Sequence, residues 1–180
     1  MLISKFKTIS EDEILEFEDA LEIKFPEVYR TFIQKYNGGQ TPNTSFNCNG
    51  IRSDIKGFYG IGNVKYSLNL LSVENVNGSC LLPIAMDSFG NDVLLDVNQG
   101  GVYFRNHESG GVMEIESSFK NFVDHCDSTN ISKASVKSVE ERENELIAKG
   151  RGNVITEALR DMWRAEIKKY SAISQEEVIL

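Results

Sequence analysis

Cysteine, histidine and proline are scarce in this chain of 180 residues. It contains three cysteines, two histidines and three prolines, against fourteen glycines. Cys48, Cys80 and Cys126 lie far apart and form no Cys-x-x-Cys pair, which argues against a disulfide framework and against a zinc site. We therefore expect buried free thiols, with no metal and no cofactor. A hydrophobic content of 41% indicates an ordinary globular protein.

Long hydrophobic runs are also missing. No window approaches the ~18 apolar residues that a membrane span requires. The first residues, 1–7, lead into an acidic stretch at Glu11 without the apolar segment of a secretory signal. The expectation is a cytoplasmic protein that has no membrane partner.

Basic residues are rare in the middle of the chain. The net charge is −8, and residues 1–130 carry 18 acidic and 10 basic residues, whereas residues 131–180 carry nine of each. Between Tyr66 and Glu116 the only basic residue is Arg105. Such a field disfavours nucleic acid and favours a basic protein partner. The residues predicted to contact that partner are seven acids and four aromatic residues of this segment: Glu74, Asp87, Asp92, Asp96, Glu108, Glu114, Glu116, Tyr66, Phe89, Tyr103 and Phe104.

Both histidines have neighbours that invite a catalytic interpretation. His107 precedes Glu108, so the two could form an acid–base pair, or His107 could bond a backbone carbonyl and shape its loop. His125 precedes Cys126, but adjacent helical residues point about 100° apart, which favours a core thiol. No nucleophile with a base and an orienting group is visible, so we predict no catalytic residues and no enzymatic activity.

Two helices are predicted near the amino terminus. Ser10 and Glu13 form a capping box, and an apolar stripe follows it. The second helix lies between Phe25 and Gly39, with Pro26 at its first position, where a missing N–H costs nothing. Asn37, Gly38 and Gly39 end it. The apolar residues of the two helices are Ile14, Phe17, Leu21, Val28, Tyr29, Phe32, Ile33 and Tyr36.

From Thr41 onward, short apolar runs separated by turn residues predict a sheet of about five strands, mostly antiparallel or mixed. The candidate strands are 45–48, 57–61, 81–85, 93–97 and 102–104, with a short helix around 67–71. Phe119, Phe122, Val123 and Cys126 then recur at helical offsets and predict a closing helix. This order of elements predicts an α+β fold over residues 1–130.

Residues 131–180 are predicted to form a helical C-terminal extension. A charged stretch, 136–149, is followed by a break at 150–152 and by an amphipathic helix over 154–170. Its apolar face could dock on the first domain, on a second copy in a homodimer, or on a partner. The face consists of Ile155, Leu159, Met162, Trp163, Ile167 and Tyr170.

One set of motif residues lies between about Ile9 and Cys126: Pro26, Glu27, Tyr29, Phe32, 37–39, 82–85, 90–96, Val102, Tyr103, His107, Glu108, Ser118, Phe119 and Phe122. In these residues the chain resembles the SUKH superfamily, which contains bacterial immunity proteins related to a yeast cell-wall-synthesis regulator. The resemblance fixes fold better than partner.

The resemblance implies an immunity protein that binds and neutralises a toxin domain, often a nuclease, of a polymorphic or contact-dependent toxin system. A nuclease carries basic residues for phosphate, so an acidic inhibitor could occlude its cleft. The yeast relatives imply an alternative, a non-enzymatic regulatory scaffold that recruits a partner through the helix bearing Trp163.

Overall fold

The chain has an α+β fold, as predicted, but its sheet is larger than expected. The computed structural model describes residues 1–131, 136–171 and 173–180. These contain ten strands instead of about five. The strands are β1 Leu2–Lys5, β2 Gly39–Cys48, β3 Ile51–Phe58, β4 Glu74–Val76, β5 Ser79–Met86, β6 Asp92–Asp96, β7 Val102–Arg105, β8 Val112–Glu116, β9 Cys126–Ser128 and β10 Glu176–Glu177. Their order in the sheet is β10-β1-β2-β3-β5-β6-β7-β8, with β4 on β5 and β9 on β2. All of these pairs are antiparallel.

The chain divides into two compact units. We call residues 1–129 together with 175–180 the sheet unit, and residues 130–174 the helical unit. The last six residues belong to the sheet unit because β10 pairs with β1. The α-helices are α1 Glu11–Ala20, α2 Glu27–Tyr36, α3 Phe119–Asp124, α4 Val139–Ala148 and α5 Glu157–Ser171, and the 3-10 turns are Leu68–Leu70 and Gly152–Val154.

Local sequence signals account for the first two helices. The Ser10 hydroxyl accepts from the Glu13 N–H at 3.3 Å, and the Glu13 carboxylate accepts from the Ser10 N–H at 2.7 Å, which confirms the predicted capping box. Pro26 was predicted to be the first helical residue of α2, but it is the N-cap, and the helix begins one residue later at Glu27. Val28 departs from the predicted apolar face, since it is 39% exposed.

The Asn-Gly-Gly segment after α2 has a packing role. Asn37 takes the left-handed conformation, and its buried side chain accepts from the Ile61 N–H and donates to the Lys7 and Ile61 carbonyls. At Gly38, a Cβ would lie 2.5 Å from the carbonyl oxygen of Tyr59. These residues therefore end α2 and let β3 approach closely.

Aromatic side chains form the centre of the sheet unit. The Phe32 ring on α2 packs 5.2 Å from both Phe58 on β3 and Phe119 on α3, between ring centroids. Tyr29 also contacts Phe119, at 5.1 Å. Offset and edge-to-face contacts of this kind add to the free energy gained by burial. Two helices are thus joined to the sheet by one cluster.

The closing helix is shorter than predicted. It ends at Asp124, and Cys126 lies in β9, opposite Phe46 of β2. The apolar stripe that we assigned to one helix is therefore shared between α3 and a strand. The reason is that β9 supplies hydrogen bonds to β2 as soon as α3 has ended.

The helical unit contains fewer buried side chains. A capping box at Ser138 and Glu141 begins α4, and α5 begins at Glu157, three residues later than predicted. Within α4 and α5, Trp163 is buried, whereas Met162 of the predicted apolar face is 57% exposed. In the described ranges of the chain, no helix combines the length and the hydrophobicity needed to cross a bilayer.

Candidate partner-binding surface

The structure separates the predicted contact residues into several environments. Two acids and one aromatic residue, Asp87, Asp96 and Phe104, are buried. Others are held in ion pairs, and a few project from turns. These differences matter because a residue must be accessible before it can contact a partner.

Asp87 anchors the turn between β5 and β6. Its carboxylate accepts from the N–H groups of Phe89 and Asn91, both at 2.8 Å, from the Asn91 amide at 2.6 Å and from the Ser53 hydroxyl at 2.7 Å. Although burial opposes ionisation, these bonds hold the pKa of Asp87 below its usual value. Asp87 therefore supports the turn from a buried position, whereas its contact with a partner remains a prediction.

A second turn, between β7 and β8, is fixed to the first. The Asn91 side-chain oxygen lies 3.0 Å from both the backbone nitrogen and Nδ1 of His107. Within the second turn, the Asn106 side-chain oxygen accepts from the N–H groups of Glu108 and Ser109, at 3.1 and 2.9 Å. The Ser88 N–H and hydroxyl donate to Asp54 on β3. We call residues 87–91 and 106–111 the turn platform.

The turn platform presents an aromatic ring and a carboxylate to solvent. Phe89 on the first turn is 71% exposed, and His107 and Glu108 on the second turn are also exposed. An exposed phenylalanine on a turn whose backbone is fixed by a buried carboxylate can enter a partner's pocket with little loss of conformational freedom. Of the predicted contact residues, Phe89 and Glu108 are the two that lie on the turn platform and are exposed.

His107 has a structural partner. Its Nδ1 lies against the Asn91 side chain, so it links the two turns instead of bonding a backbone carbonyl. Glu108 donates its N–H to Asn106, and no contact between the His107 and Glu108 side chains occurs in the described part of the chain. The structure thus favours the loop-shaping interpretation of His107 over the acid–base pair.

Arg105 neutralises part of the predicted acidic surface. Its Nη1 donates to the two Glu74 oxygens at 2.8 and 2.7 Å, and its Nε and Nη2 donate to Asp92 Oδ2 at 3.2 and 2.6 Å. Tyr59 is adjacent, and its burial, with the Asp92 carboxylate nearby, raises the pKa of Tyr59 to about 12. The carboxylates of Glu74 and Asp92 are therefore paired with Arg105, the one basic residue between Tyr66 and Glu116.

Register explains why Arg105 meets Asp92. Residues Gly57, Met86, Asp92, Arg105 and Val112 are successive partners across five strands. Tyr66 lies at one end of this row, since its ring is so close to Gly57 that a Cβ there would be 2.5 Å away. The predicted residues Tyr66, Asp92 and Glu74 are thus linked through one row of the sheet, and this row borders the turn platform, since Asp92 follows Asn91 and Arg105 precedes Asn106.

Asp96 and Phe104 were predicted to contact a partner, but both side chains are buried. Asp96 is fully buried and accepts from the N–H groups of Asn98 and Gln99, at 2.9 and 3.3 Å, so it shapes the β6–β7 turn. Phe104 is buried in the core, 6.1 Å from the Phe46 ring. The alternation of strand β7 places its neighbour Tyr103 on the other face, where Tyr103 is half-buried.

Glu114 and Glu116 lie on the edge strand β8. Glu114 is opposite Tyr103 and exposed. Glu116 ends the strand, and its Oε1 lies 2.6 Å from Nδ1 of His125. Cys48 is also there, so that the ligand atoms of Cys48, Glu116 and His125 lie within 4.8 Å of one another. These three could hold a metal ion, which sequence spacing did not predict.

The three thiols are free, as expected, and two of them are buried. Burial raises the pKa of Cys48 to about 11, with the Glu116 carboxylate adding to the effect. Burial also raises the pKa of Cys126. Cys80 differs from the prediction because it is only partly buried. A raised pKa keeps a buried thiol protonated, and therefore weakly nucleophilic, at neutral pH.

Sequence reasoning missed the residues that support the turn platform. Ser53, Asp54 and Asn106 belong to no predicted motif, Asn91 was noted only within the segment 90–96, and their partners lie up to 34 positions away. The signal that could have found Asn106 is local: Asn106 is followed by His-Glu-Ser-Gly-Gly, and an asparagine in such a polar, glycine-rich segment is typical of a turn in which its side chain caps backbone N–H groups.

One comparison with known proteins gives a match. A family model, SUKH_6, described as SMI1-KNR4 cell-wall, matches residues 11–123, which is more than half of the chain. The matched range begins with α1 and includes the turn platform and most of α3. No curated protein matches the chain.

Proposed function

The chain belongs to the SUKH_6 family of SMI1-KNR4 proteins, and from this premise we propose that it is a non-enzymatic immunity protein that binds and neutralises a cognate toxin domain. The observation that carries the proposal is the turn platform. It combines a solvent-exposed aromatic residue, Phe89, with a backbone that buried hydrogen bonds hold in place. Rigid aromatic anchors supply most of the binding energy in protein interfaces.

Rigidity has a direct consequence for affinity. Immunity requires that almost no toxin is free, which implies a dissociation constant near or below about 1 nM, or roughly −12 kcal/mol. Association has to offset the loss of freedom of every group that it orders. Because Asp87 and Asn91 already fix the turn, Phe89 is presented at low entropic cost.

Charge contributes mainly to the rate of association. Two acids of the predicted surface are buried, and Glu74 and Asp92 are paired with Arg105. Exposed Glu108 and Glu114 remain, within a sheet unit that keeps an excess of acidic residues. Such an excess steers a basic partner, and a nuclease domain with Lys and Arg at its phosphate site is the expected class. Occlusion of that site would block activity without chemistry.

The test is co-expression of the full chain with the toxin domain encoded beside its gene. Cell survival and co-purification of a complex, at low and at high salt, are the readouts. An unrelated toxin domain is the control for specificity. Survival with the adjacent toxin alone supports the proposal, and cell death with no complex contradicts it. A complex that weakens in salt would support steering by the remaining acids.

A second candidate function is a regulatory scaffold that recruits a partner through the helical unit. Exposed apolar side chains favour it: Ile147 on α4, Val154 and Met162 are all more than one third exposed. A binding helix of this kind would use α5 as an amphipathic anchor. The proposed homodimer through this helix belongs to the same candidate.

The two candidates can be separated by deletion of the helical unit. Simple truncation after residue 131 would also remove β10 and the buried Val178 that follows it, and would damage the sheet unit. Replacement of 130–174 by a short Gly-Ser linker avoids this, because Leu2 contacts both ends: its N–H donates to Ser128 Oγ at 2.9 Å, and it pairs with Glu177. If the variant without 130–174 still neutralises the toxin, the immunity role of the sheet unit is supported. If neither the full chain nor the variant binds a toxin, and the variant no longer recruits a partner that the full chain recruits, the scaffold is supported.

A further inference from the structure

Three different metal-ligating side chains converge at one end of the sheet unit. Cys48 is the last residue of β2, Glu116 is the last residue of β8, and His125 follows the last turn of α3. Their ligand atoms, a thiol sulfur, a carboxylate oxygen and an imidazole nitrogen, all lie within 4.8 Å of one another. Three unrelated elements therefore bring one sulfur, one oxygen and one nitrogen donor together.

We propose that Cys48, Glu116 and His125 form a zinc-binding site. Zn²⁺ accepts all three donor types, whereas the hard cations Ca²⁺ and Mg²⁺ select oxygen and would not recruit a buried thiol. With zinc–ligand bonds of about 2.0–2.3 Å, tetrahedral geometry separates neighbouring ligand atoms by about 3.5 Å. The three ligand atoms lie within 4.8 Å of one another, and Glu116 Oε1 lies 2.6 Å from His125 Nδ1, so small side-chain movements would bring them to that separation.

Burial decides which side of the site is open. Cys48 is buried, the Glu116 side chain is 15% exposed, and the His125 side chain is 59% exposed. The 2.6 Å contact between Glu116 and His125 has to widen by about one ångström on metal binding, and the exposed imidazole is free to move by that amount. The fourth position then faces solvent on the His125 side, where water or a ligand from a partner can complete the coordination.

The ligand exchange is balanced by proton release. Zinc replaces the proton on the Cys48 sulfur, so that the thiol becomes a metal-bound thiolate and one proton passes to solvent. No electron is transferred. The ion would connect β2, β8 and the end of α3, and it would stabilise the folded chain because the three ligands are brought together only by folding.

The experiment measures zinc and cobalt binding to the full chain after treatment with a chelator. Titration calorimetry gives the zinc affinity, and Co²⁺ gives a thiolate charge-transfer band together with intense visible bands if the site is tetrahedral. The test variants are His125→Ala and Glu116→Gln, whose side chains are not in the core. Cys48→Ser removes the sulfur. The matched controls are His107→Ala and Cys80→Ser, the other histidine and a partly exposed thiol.

We expect the wild-type chain and both controls to bind one zinc ion, and each ligand variant to lose at least about tenfold in affinity. The cobalt charge-transfer band should be absent in Cys48→Ser and present in Cys80→Ser. Cys48→Ser changes a buried residue and could lose zinc because the fold is damaged. His125→Ala changes an exposed side chain, so a loss of zinc binding in that variant reports on the site itself. Equal affinity in wild type and His125→Ala, or a cobalt spectrum without a thiolate band, would overturn the proposal.

Discussion

The sheet unit and the helical unit are stabilised in different ways. The sheet unit buries whole aromatic side chains, such as Phe32 and Phe122, and fixes its turns with a buried carboxylate. The helical unit instead relies on ion pairs that reach the surface, such as Arg142 with Glu166 and Arg160 with Glu143. In the sheet unit a buried carboxylate holds the turn platform in place, which is why we propose this unit as the one that binds a toxin domain.

The largest effect is expected in the aromatic core. Phe32→Ala should lower the free energy of unfolding of the sheet unit by about 3–5 kcal/mol, because it removes a fully buried ring and leaves a cavity. Denaturant unfolding combined with amide hydrogen exchange of the strands measures the change. Val28→Ala on the same helix is the control, because the Val28 side chain is 39% exposed and its truncation leaves no buried cavity. Similar losses of unfolding free energy in Phe32→Ala and Val28→Ala would contradict a sheet unit stabilised by buried aromatic side chains.

The next effect concerns the turn platform. Asp87→Asn should cost about 1–3 kcal/mol, because an amide cannot replace a carboxylate that accepts four hydrogen bonds, and buried donors lose their partner. Denaturant unfolding at neutral pH measures the loss. Glu108→Gln, on the exposed part of the platform, is the control.

The same residue gives a prediction for acid unfolding. The folded pKa of Asp87 lies below the ordinary value of 3.8, so the carboxylate stabilises the fold above that value. This stability is lost as pH falls through the lower, folded pKa. Wild type should therefore become less stable below about pH 4, and Asp87→Asn should show a weaker dependence on pH in that range. Parallel curves for the two proteins would contradict this role of Asp87.

The smallest effect is expected in the helical unit. Arg160→Ala removes ion pairs with Glu143 and Glu157 at the protein surface, so it should increase hydrogen exchange in α4 and α5 only slightly. The increase should disappear at about 1 M salt, where the screening length falls to about 3 Å. Phe32→Ala should keep its full effect in salt. An Arg160→Ala effect that is large and insensitive to salt would remove the distinction between the units.

Local signals made part of the fold predictable. The Ser10 capping box and the Asn-Gly-Gly end of α2 depend on a few neighbouring residues, and the structure shows both. The extent of the sheet was not predictable in the same way. β1 and β10 pair across almost the whole chain, and two-residue strands such as β10 have no pattern of their own.

The candidate surface was harder to predict than the fold. Composition counts Asp87, Asp92 and Glu108 alike, although the first is buried, the second is paired with Arg105 and the third is exposed. Strand register decides these differences, since a shift by one residue moves a side chain to the other face of a sheet. Cys48, Glu116 and His125 were missed for a related reason, because three separate elements bring them together.

The most direct test of the account measures how fast the complex with the adjacent toxin domain dissociates when Phe89 is truncated. Phe89→Ala should speed dissociation by on the order of 30-fold or more, as for the loss of a central aromatic anchor. Ile179→Ala is the matched control, because Ile179 is similarly exposed, at 65%, and follows β10 at the opposite end of the strand order from β8. We predict no change in dissociation for Ile179→Ala. Equal dissociation rates for Phe89→Ala and wild type would contradict binding through the turn platform.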